Sequence, residues 1–222
     1  MRRSHGERMF FQKVLKGIAG LPRQNADASF LAGIVCNWWR RVHQISPVEI
    51  VQKLTDRNLD WHLNHYADPD PLMNNAPFYE NTPFISVSAG VVERDAFNQR
   101  NIVFDPFITA LRFATRDFSI TGHVFYAYVF TLGRQSIDLR EFAEEVRELN
   151  IYKNFLPFHP EGEITAKIEI RGPQIEKWEE YDGPAALGAL QGGNLPLPTF
   201  VQINPIYAPP ERYCNIRGLV TD

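Results

Sequence analysis

Two glutamates stand at the entrance to a strand-like segment in the last third of the chain. Residues 158–170 read FHPEGEITAKIEI, so that a loop with Pro and Gly delivers Glu161 and Glu163 into a run of alternating apolar residues. Side chains two positions apart in a strand share a face, and the pair therefore presents two like charges together. Paired carboxylates serve acid–base and glycosidic-bond chemistry, in which each acid has its own role. A solvated strand face is the ordinary alternative.

Two further groups of polar residues precede this pair in the chain. Arg41 lies in WWRRVH (38–43), and Ser86 and Ser88 lie in FISVS (84–88). An arginine after two tryptophans is often their stacking partner, and a Ser-x-Ser at a strand end is often part of a turn. Taken alone, each group is more typical of a structural role, such as stacking or turn formation. The order of the groups along the chain, next to predicted strands, favours a functional site.

Periodicity and capping signals indicate the elements that would position these residues. Apolar residues at helical spacing predict an amphipathic helix over residues 6–19. Ser46, Pro47 and Glu49 have the pattern of a capping box with a proline in the first turn, which predicts a helix over residues 47–56. We further expect strands over 38–43, 84–88, 122–132, 163–170 and parts of 199–220, helices over 107–115 and 139–150, a helix or buried strand over 27–36, and a helix or turn over 173–181.

The chain as a whole has the composition of a globular protein. It has 222 residues, of which 44% are hydrophobic and 22% charged, and a net charge of −3. Helices early in the chain, strands mixed through it and no regular β-α-β alternation predict an α+β fold. The sequence has no Gly-rich phosphate loop and no CxxC pair. No metal is expected, because His62 and His65 beside Asp60 lack an evident third ligand.

Cysteine content and hydropathy suggest the compartment. Cys36 and Cys214 are too few for a disulfide scaffold, and we expect both to be free thiols. No apolar run reaches the ~18 residues of a membrane span. The N-terminal segment lacks the continuous apolar core of a signal peptide. We therefore expect a cytoplasmic protein that has no membrane partner.

The three polar groups resemble, in their order, the motifs of the Arg–Ser–Glu class of mono-ADP-ribosyltransferases, a family that includes many bacterial toxins. That class has an arginine on its first strand, then a strand with an aromatic or apolar residue and Ser-Thr-Ser, then a (Gln/Glu)-x-Glu loop. RRVH, FISVS and EGE are the similar segments here, and the resemblance covers residues 37–182. Val87 stands where the family has the middle Thr. Arg40 and Arg41 compete for the first role, and Arg41 is favoured because an apolar residue, Val42, follows it as in the family.

The resemblance implies a reaction and roles for four residues. NAD would be the co-substrate, and no metal would be needed. Cleavage of nicotinamide from NAD develops oxocarbenium character at the ribose, and the carboxylate of Glu163 would stabilise it. Ser86 would donate a hydrogen bond that keeps this carboxylate ionised. Arg41 would bind the NAD diphosphate through its fork of donors, and Glu161 would orient the acceptor and take its proton as a general base.

Further contacts follow from the same resemblance. Val42 and Ser88 would line the NAD site beside the arginine and the first serine. Phe113 would be an aromatic platform for the nicotinamide, with Phe118 as the alternative, and Phe158 would contact the acceptor. Each of these phenyl rings could equally belong to the hydrophobic core.

The implied function is transfer of ADP-ribose from NAD to a macromolecule by an intracellular toxin or effector. A protein side chain is the favoured acceptor and an RNA or DNA base the second, because residues 1–23 are basic. A toxin–antitoxin or phage-defence setting would add an antitoxin or immunity protein as a partner. Two alternatives remain: an NAD glycohydrolase, in which water is the acceptor, and a non-enzymatic binding module, in which the motifs are coincidental.

The resemblance also implies a domain organisation. The fold would be an ADP-ribosyltransferase-like mixed fold, with two packed antiparallel or mixed sheets and flanking helices. We expect a basic, helical N-terminal extension over 1–35, a catalytic core over 36–182 and a C-terminal extension over 183–222 that packs on the core.

Overall fold

A computed structural model describes residues 9–42, 46–89, 92–94, 101–103, 105–132, 135–144, 146 and 162–210, of which 9–10, 92–94 and 101–103 are described by their backbone alone. The helices are α1 (Arg23–Ala32), α2 (Asn37–Arg41), α3 (Pro47–Lys53), α4 (Asp56–Asn64), α5 (Pro106–Thr115) and α6 (Gly183–Gln191). The strands are β1 (Met9–Ala19), β2 (Ile34–Val35), β3 (Pro69–Asp70), β4 (Ala76–Pro77), β5 (Phe84–Ser88), β6 (Val92–Arg94), β7 (Asn101–Val103), β8 (Gly122–Leu132), β9 (Glu163–Lys167), β10 (Glu169–Ile170), β11 (Ile175–Tyr181) and β12 (Phe200–Ile203).

A six-stranded sheet in the order β12-β11-β8-β1-β5-β9 forms the centre of the fold. Every neighbouring pair in it is antiparallel. Within the described residues, three two-stranded sheets pair β2 with β10, β3 with β4 and β6 with β7. Helices and antiparallel strands are thus mixed along the chain, and the predicted α+β class is confirmed. Because β1 lies inside the large sheet, residues before 36 belong to the same sheet as residues of the predicted core.

The helix predicted over residues 6–19 is wrong for the described residues 9–19, which form β1. This strand pairs with β8 along its whole length, from Met9–Leu132 to Ala19–Gly122. A strand inside a sheet with both faces covered needs no strict polar–apolar alternation, and its apolar residues can fall at helical spacing by chance. The residues before Met9 lie outside the described part.

Helix α5 packs closely on the sheet at two glycines. A Cβ at Gly17 of β1 would lie 2.0 Å from the carbonyl oxygen of Ala110, and one at Gly122 of β8 would lie 1.7 Å from that of Ala114. Only glycine permits this approach of helix backbone to strand backbone. The contact fixes α5 beside β1, where it becomes a wall of the cleft described below.

The strand predicted over 38–43 is also wrong for its described residues 38–42, because Asn37–Arg41 form the short helix α2. The sulfur of Cys36 accepts a hydrogen bond from the Trp39 N–H at 3.4 Å and caps the helix. Helical geometry buries Trp38 at 4% exposure while its neighbours face other directions. Tertiary burial of one tryptophan thus overrides the β propensity of the pair.

Two more predictions need correction at later positions. Residues 173–181, expected to be a helix or turn, contain one turn of 3₁₀ helix (Gly172–Gln174) and then strand β11. The helix expected over 139–150 is absent from its described residues. There Ala143 donates its N–H to the carbonyl of Phe130 at 2.7 Å, and Glu144 exchanges backbone hydrogen bonds with Thr165.

The strongest local signals are confirmed. Ser46 and Glu49 form the predicted reciprocal capping box of α3. Strands β5 and β8 and helix α5 lie where they were predicted. The predicted strand 163–170 is divided into β9 and β10 by Ile168, which has a φ of 63°. Of the ambiguous segment 27–36, the first part belongs to helix α1 and the last part to strand β2.

Candidate active site

A cleft opens where β1 and β5 separate. Among the described residues the two strands share one register pair, Leu15–Ser88. One cavity of about 290 Å³ lies at this pair, and another of about 210 Å³ lies between the following residues of β1 and the preceding residues of β5. Both cavities are lined by Lys16, Gly17, His62, Tyr66 and Ser86. We call the two together the β1–β5 cleft.

The buried carboxylate of Glu163 faces the first of these cavities. Glu163 is the first residue of β9 and pairs with Ser88, so β5 fixes its position in the sheet. Gly162 precedes it with a φ of 57° and accepts a hydrogen bond from the Ala89 N–H at 2.8 Å, which ties the strand entrance to β5. Glu163 is only 5% exposed. Its Oε1 accepts a hydrogen bond from the Thr165 hydroxyl at 3.3 Å.

His62 lies between this carboxylate and Ser86, so the predicted hydrogen bond from Ser86 to Glu163 is not made and the Ser86 hydroxyl is bonded to the His62 ring instead. Its Nε2 lies 2.9 Å from Ser86 Oγ and 3.6 Å from Glu163 Oε1, and its Nδ1 lies 2.8 Å from Thr82 Oγ1. The ring is 4% exposed and is carried by α4. Because both hydrogen-bond partners are hydroxyls, which donate and accept, either tautomer of His62 satisfies both bonds. The two hydroxyls therefore hold the imidazole in one orientation but do not select one of its two neutral tautomers.

Lys16 and Arg40 supply positive charge to the cleft. Lys16, on β1, is partly buried, and burial lowers the pKa of its ammonium to about 8, while the carboxylate of Glu163 acts in the opposite direction. The positive charge of Arg40 adds to the lowering of the Lys16 pKa. Arg40 itself lines the second cavity. The cleft thus has one negative end, at Glu163, and a more positive part further along β1.

Arg41 and Val42, the predicted NAD contacts, are not among the lining residues of the β1–β5 cleft. The half-exposed guanidinium of Arg41 is ion-paired with Glu80, and Val42 ends α2 and packs against the core. Successive residues of a helix point about 100° apart, so the two arginines face different surroundings. Of the two arginines weighed from the sequence, the structure brings Arg40 to the cleft.

Aromatic residues border the cleft on two sides. Tyr66 lines both cavities, and its ring stands edge-on to His62 at a centroid distance of 5.5 Å. Burial, and after it the negative charge of Glu163, raises the pKa of the Tyr66 phenol. Phe113 on α5 is 58% exposed at the rim of the first cavity. Phe118 instead packs in a second core cluster, under α5.

The remaining predicted site residues fall into two groups. Ser86 and Ser88 both line the first cavity, as Glu163 does, and the structure thereby brings the second and third sequence motifs together. Glu161 and Phe158 lie outside the described residues.

Within the described part of the chain no group of three His, Cys, Asp or Glu side chains is arranged to hold a metal ion. His65 is paired with Asp68 at 2.7 Å.

Comparisons with known proteins found similarity among solved structures. No family model and no curated protein matches the sequence. EcPltA is similar with a TM-score of 0.44 and 14% identity, over 93% of this chain and 90% of that chain. The catalytic domain of the mosquitocidal toxin from Bacillus sphaericus, in a Glu-to-Gln mutant, is similar with a TM-score of 0.38 and 15% identity, over 98% of this chain and 63% of that chain.

Proposed function

We propose that the protein is an NAD-dependent mono-ADP-ribosyltransferase that uses the β1–β5 cleft. One observation carries this proposal: the carboxylate of Glu163 is buried beside Ser86 and His62 and yet faces a cavity. A carboxylate in such a place stabilises a cationic ribosyl transition state, because charge–charge attraction strengthens where water is excluded.

The charges along the cleft match the charge distribution of NAD. The nicotinamide ribose would lie at Glu163, where positive charge develops during the reaction. The diphosphate would lie further along β1, where Lys16 and Arg40 line the second cavity. A guanidinium donates in a planar fork that suits phosphate oxygens, and an ammonium acts as a point charge. Tyr66 and Phe113 offer aromatic surface for the nicotinamide ring.

The chemistry proceeds by loss of nicotinamide and attack of an acceptor. The bond between the ribose anomeric carbon and the nicotinamide nitrogen breaks, and its electron pair leaves with nicotinamide. Glu163 stabilises the oxocarbenium character that remains on the ribose. The acceptor then bonds to the anomeric carbon and loses a proton, for which Glu161 is the proposed general base. Ser86 and His62 hold the carboxylate side of the cleft in place through their 2.9 Å hydrogen bond.

The acceptor and the biological setting complete the proposal. A protein side chain is favoured, a nucleic-acid base is second, and water as acceptor would make the protein an NAD glycohydrolase. The proposed role is that of a toxin or effector acting inside a cell, with an antitoxin or immunity protein as a partner. No helix in the described part of the chain is long and apolar enough to cross a membrane.

The test is incubation of the purified protein with NAD labelled in the adenine moiety, with and without cell lysate. Nicotinamide release and label incorporation are measured together, and protease or nuclease digestion then shows which class of macromolecule carries the label. We expect release of nicotinamide and label on protein. Absence of nicotinamide release under all conditions would remove the enzyme proposal and leave a binding module. Glu163→Gln protein serves as the control for contaminating activity.

A second experiment tests the proposed role of Glu161 in the acceptor step. If Glu161 acts only on the acceptor, Glu161→Ala abolishes transfer to the macromolecule and leaves slow NAD hydrolysis. Glu163→Ala abolishes both. Equal loss of both activities in Glu161→Ala would show that Glu161 acts on NAD or on the fold.

A further inference from the structure

The C-terminal part of the described chain presents an uncharged apolar surface. Residues 183–210 contain no Asp, Glu, Lys, Arg or His, although 22% of the whole chain is charged. Seven of the fourteen exposed large hydrophobic residues of the described chain lie in this segment. They are Leu187, Leu195, Leu197, Phe200, Val201, Ile203 and Ile206, with exposures from 37% to 85%. Concentrated exposure of this kind marks an interaction surface.

Strand β12, in the middle of this segment, is an edge strand. It pairs with β11 on one side, in a register that sets Val201 opposite Glu179 and Ile203 opposite Lys177. On its other side no strand follows among the described residues. Exposed edges of natural sheets usually carry charges, proline or a bulge, which discourage pairing with another chain. Phe200–Ile203 has no charge, no proline and no irregularity in its register with β11.

The two faces of β12 differ in their cover. Phe200 packs on Trp178, with ring centroids 5.3 Å apart, and lies under the guanidinium of Arg23 at 4.5 Å. Val201 and Ile203 point to the opposite face, since side chains alternate along a strand. They are 43% and 60% exposed. Phe200 thus has packing partners on its face although it is still 37% exposed, and Val201 and Ile203 on the other face are more exposed.

We propose that β12 pairs with β12 of a second copy of the chain, in antiparallel orientation about a two-fold axis. A two-fold interface places each patch against itself, which a charged patch would oppose by repulsion and an uncharged one does not. A stable interface uses about 20–30 residues a side, so the contact would have to extend from the four residues of β12 to other exposed apolar residues of the segment 183–210. The two six-stranded sheets would form one continuous sheet. Since β12 and β9 lie at opposite edges, the β1–β5 cleft stays open.

The primary test measures the oligomeric state of the full chain by light scattering and sedimentation over a range of micromolar concentrations. We expect a dimer. Val201→Lys places a charge against its own copy and should yield a monomer, whereas Val51→Lys on α3, a matched change at a site 59% exposed, should leave the dimer intact. A monomeric unmodified protein, or a dimer that survives Val201→Lys, would overturn the proposal. Nicotinamide release and circular dichroism confirm that each variant is folded.

Cross-linking provides a test that does not depend on a disruptive change. Single cysteines replace Val201, Gln202 or Ile203 in a Cys214→Ser background. Directly opposite residues of an antiparallel pair have Cα atoms about 4.5–5.5 Å apart, within the range of a disulfide. We expect an intermolecular disulfide from at least one of the three positions on mild oxidation, and none from a cysteine at Val51. Its absence at all three positions would exclude pairing along this edge.

Discussion

Two buried glutamates, Glu144 and Glu163, lie next to the same residue, Thr165, and yet have very different surroundings. Glu144 exchanges backbone hydrogen bonds with Thr165, and its carboxylate accepts hydrogen bonds from the Ser136 N–H and hydroxyl at 3.0 Å and an ion pair from Lys167 at 2.6 Å. The Glu163 carboxylate has the Thr165 hydroxyl at 3.3 Å and His62 Nε2 at 3.6 Å. Both glutamates are at most 5% exposed. The two carboxylates are therefore buried to a similar extent, and they differ in the number of hydrogen-bond and ion-pair partners around them.

The same contrast separates the two neighbouring arginines. Arg41 is ion-paired with Glu80, whereas Arg40 lines the cleft and has no ion pair within the described residues. A charged side chain that is ion-paired within the fold contributes to stability. A charged side chain without such a partner at a cleft can bind a ligand or stabilise a transition state. Lys16, Arg40 and Glu163 belong to the second kind.

The largest effect on stability is expected from Lys167→Met, which breaks the buried ion pair between Lys167 and Glu144. Glu144 would remain buried without its counter-charge, and breaking a buried pair in this way costs about 3–5 kcal/mol. The carbonyl oxygens of Ser136 and Leu139 also lose the hydrogen bonds that Lys167 Nζ donates to them. The free energy of unfolding, from denaturant titration, measures the loss.

A double variant serves as the control for that experiment. Lys167→Met with Glu144→Leu removes both charges and should recover part of the lost stability, since no buried charge is then left unpaired. If Lys167→Met alone leaves the free energy of unfolding unchanged, the claim that the partners of Glu144 stabilise the fold is wrong.

A smaller effect is expected from the arginine pair. Arg40→Lys keeps the charge and loses the fork, which removes a hydrogen bond to a charged group and raises KM for NAD about tenfold. Arg41→Lys retains an ion pair with Glu80 at the surface and should leave KM unchanged. Steady-state kinetics on both variants decides between them. The opposite result would place Arg41 at the diphosphate, as the sequence motif suggested.

The smallest effect is a pH dependence carried by Lys16. Burial lowers the pKa of its ammonium to about 8, so the cation is present below this pH and is lost above it. The value of kcat/KM for NAD, which reports groups of the free enzyme, should therefore fall as the pH rises past 8. Lys16→Arg should abolish this fall, because a guanidinium stays charged. A fall that persists in Lys16→Arg would assign the titration to another group.

Local signals predicted the elements whose residues satisfy one another nearby. The capping box of Ser46 and Glu49 is a short-range feature and was predicted correctly, as were the positions of β8 and α5. Strand β1 was misread because its environment is set by distant partners. Its pairing with β8 joins residues more than 100 positions apart, from Met9–Leu132 to Ala19–Gly122.

For the candidate site as well, the sequence indicated the residues that lie in short motifs and not those that tertiary packing brings to the cleft. Ser86, Ser88 and Glu163 were selected from the sequence by their motifs, and all three line one cavity because β5 and β9 are adjacent in the sheet. His62 was noted only with His65 as a metal pair, and Lys16 only as part of a basic segment. Neither has a spacing that signals its role, since each reaches the cleft through the tertiary packing of α4 and β1.

The most direct measurement compares Glu163→Gln with Glu144→Gln, the same change at the two buried glutamates. For Glu163→Gln we predict that nicotinamide release falls by about 10²–10³ while the free energy of unfolding is not reduced, because the charge acts only in the transition state. For Glu144→Gln we predict a marked loss of stability and normal turnover per folded molecule. Normal nicotinamide release by folded Glu163→Gln protein would contradict the account.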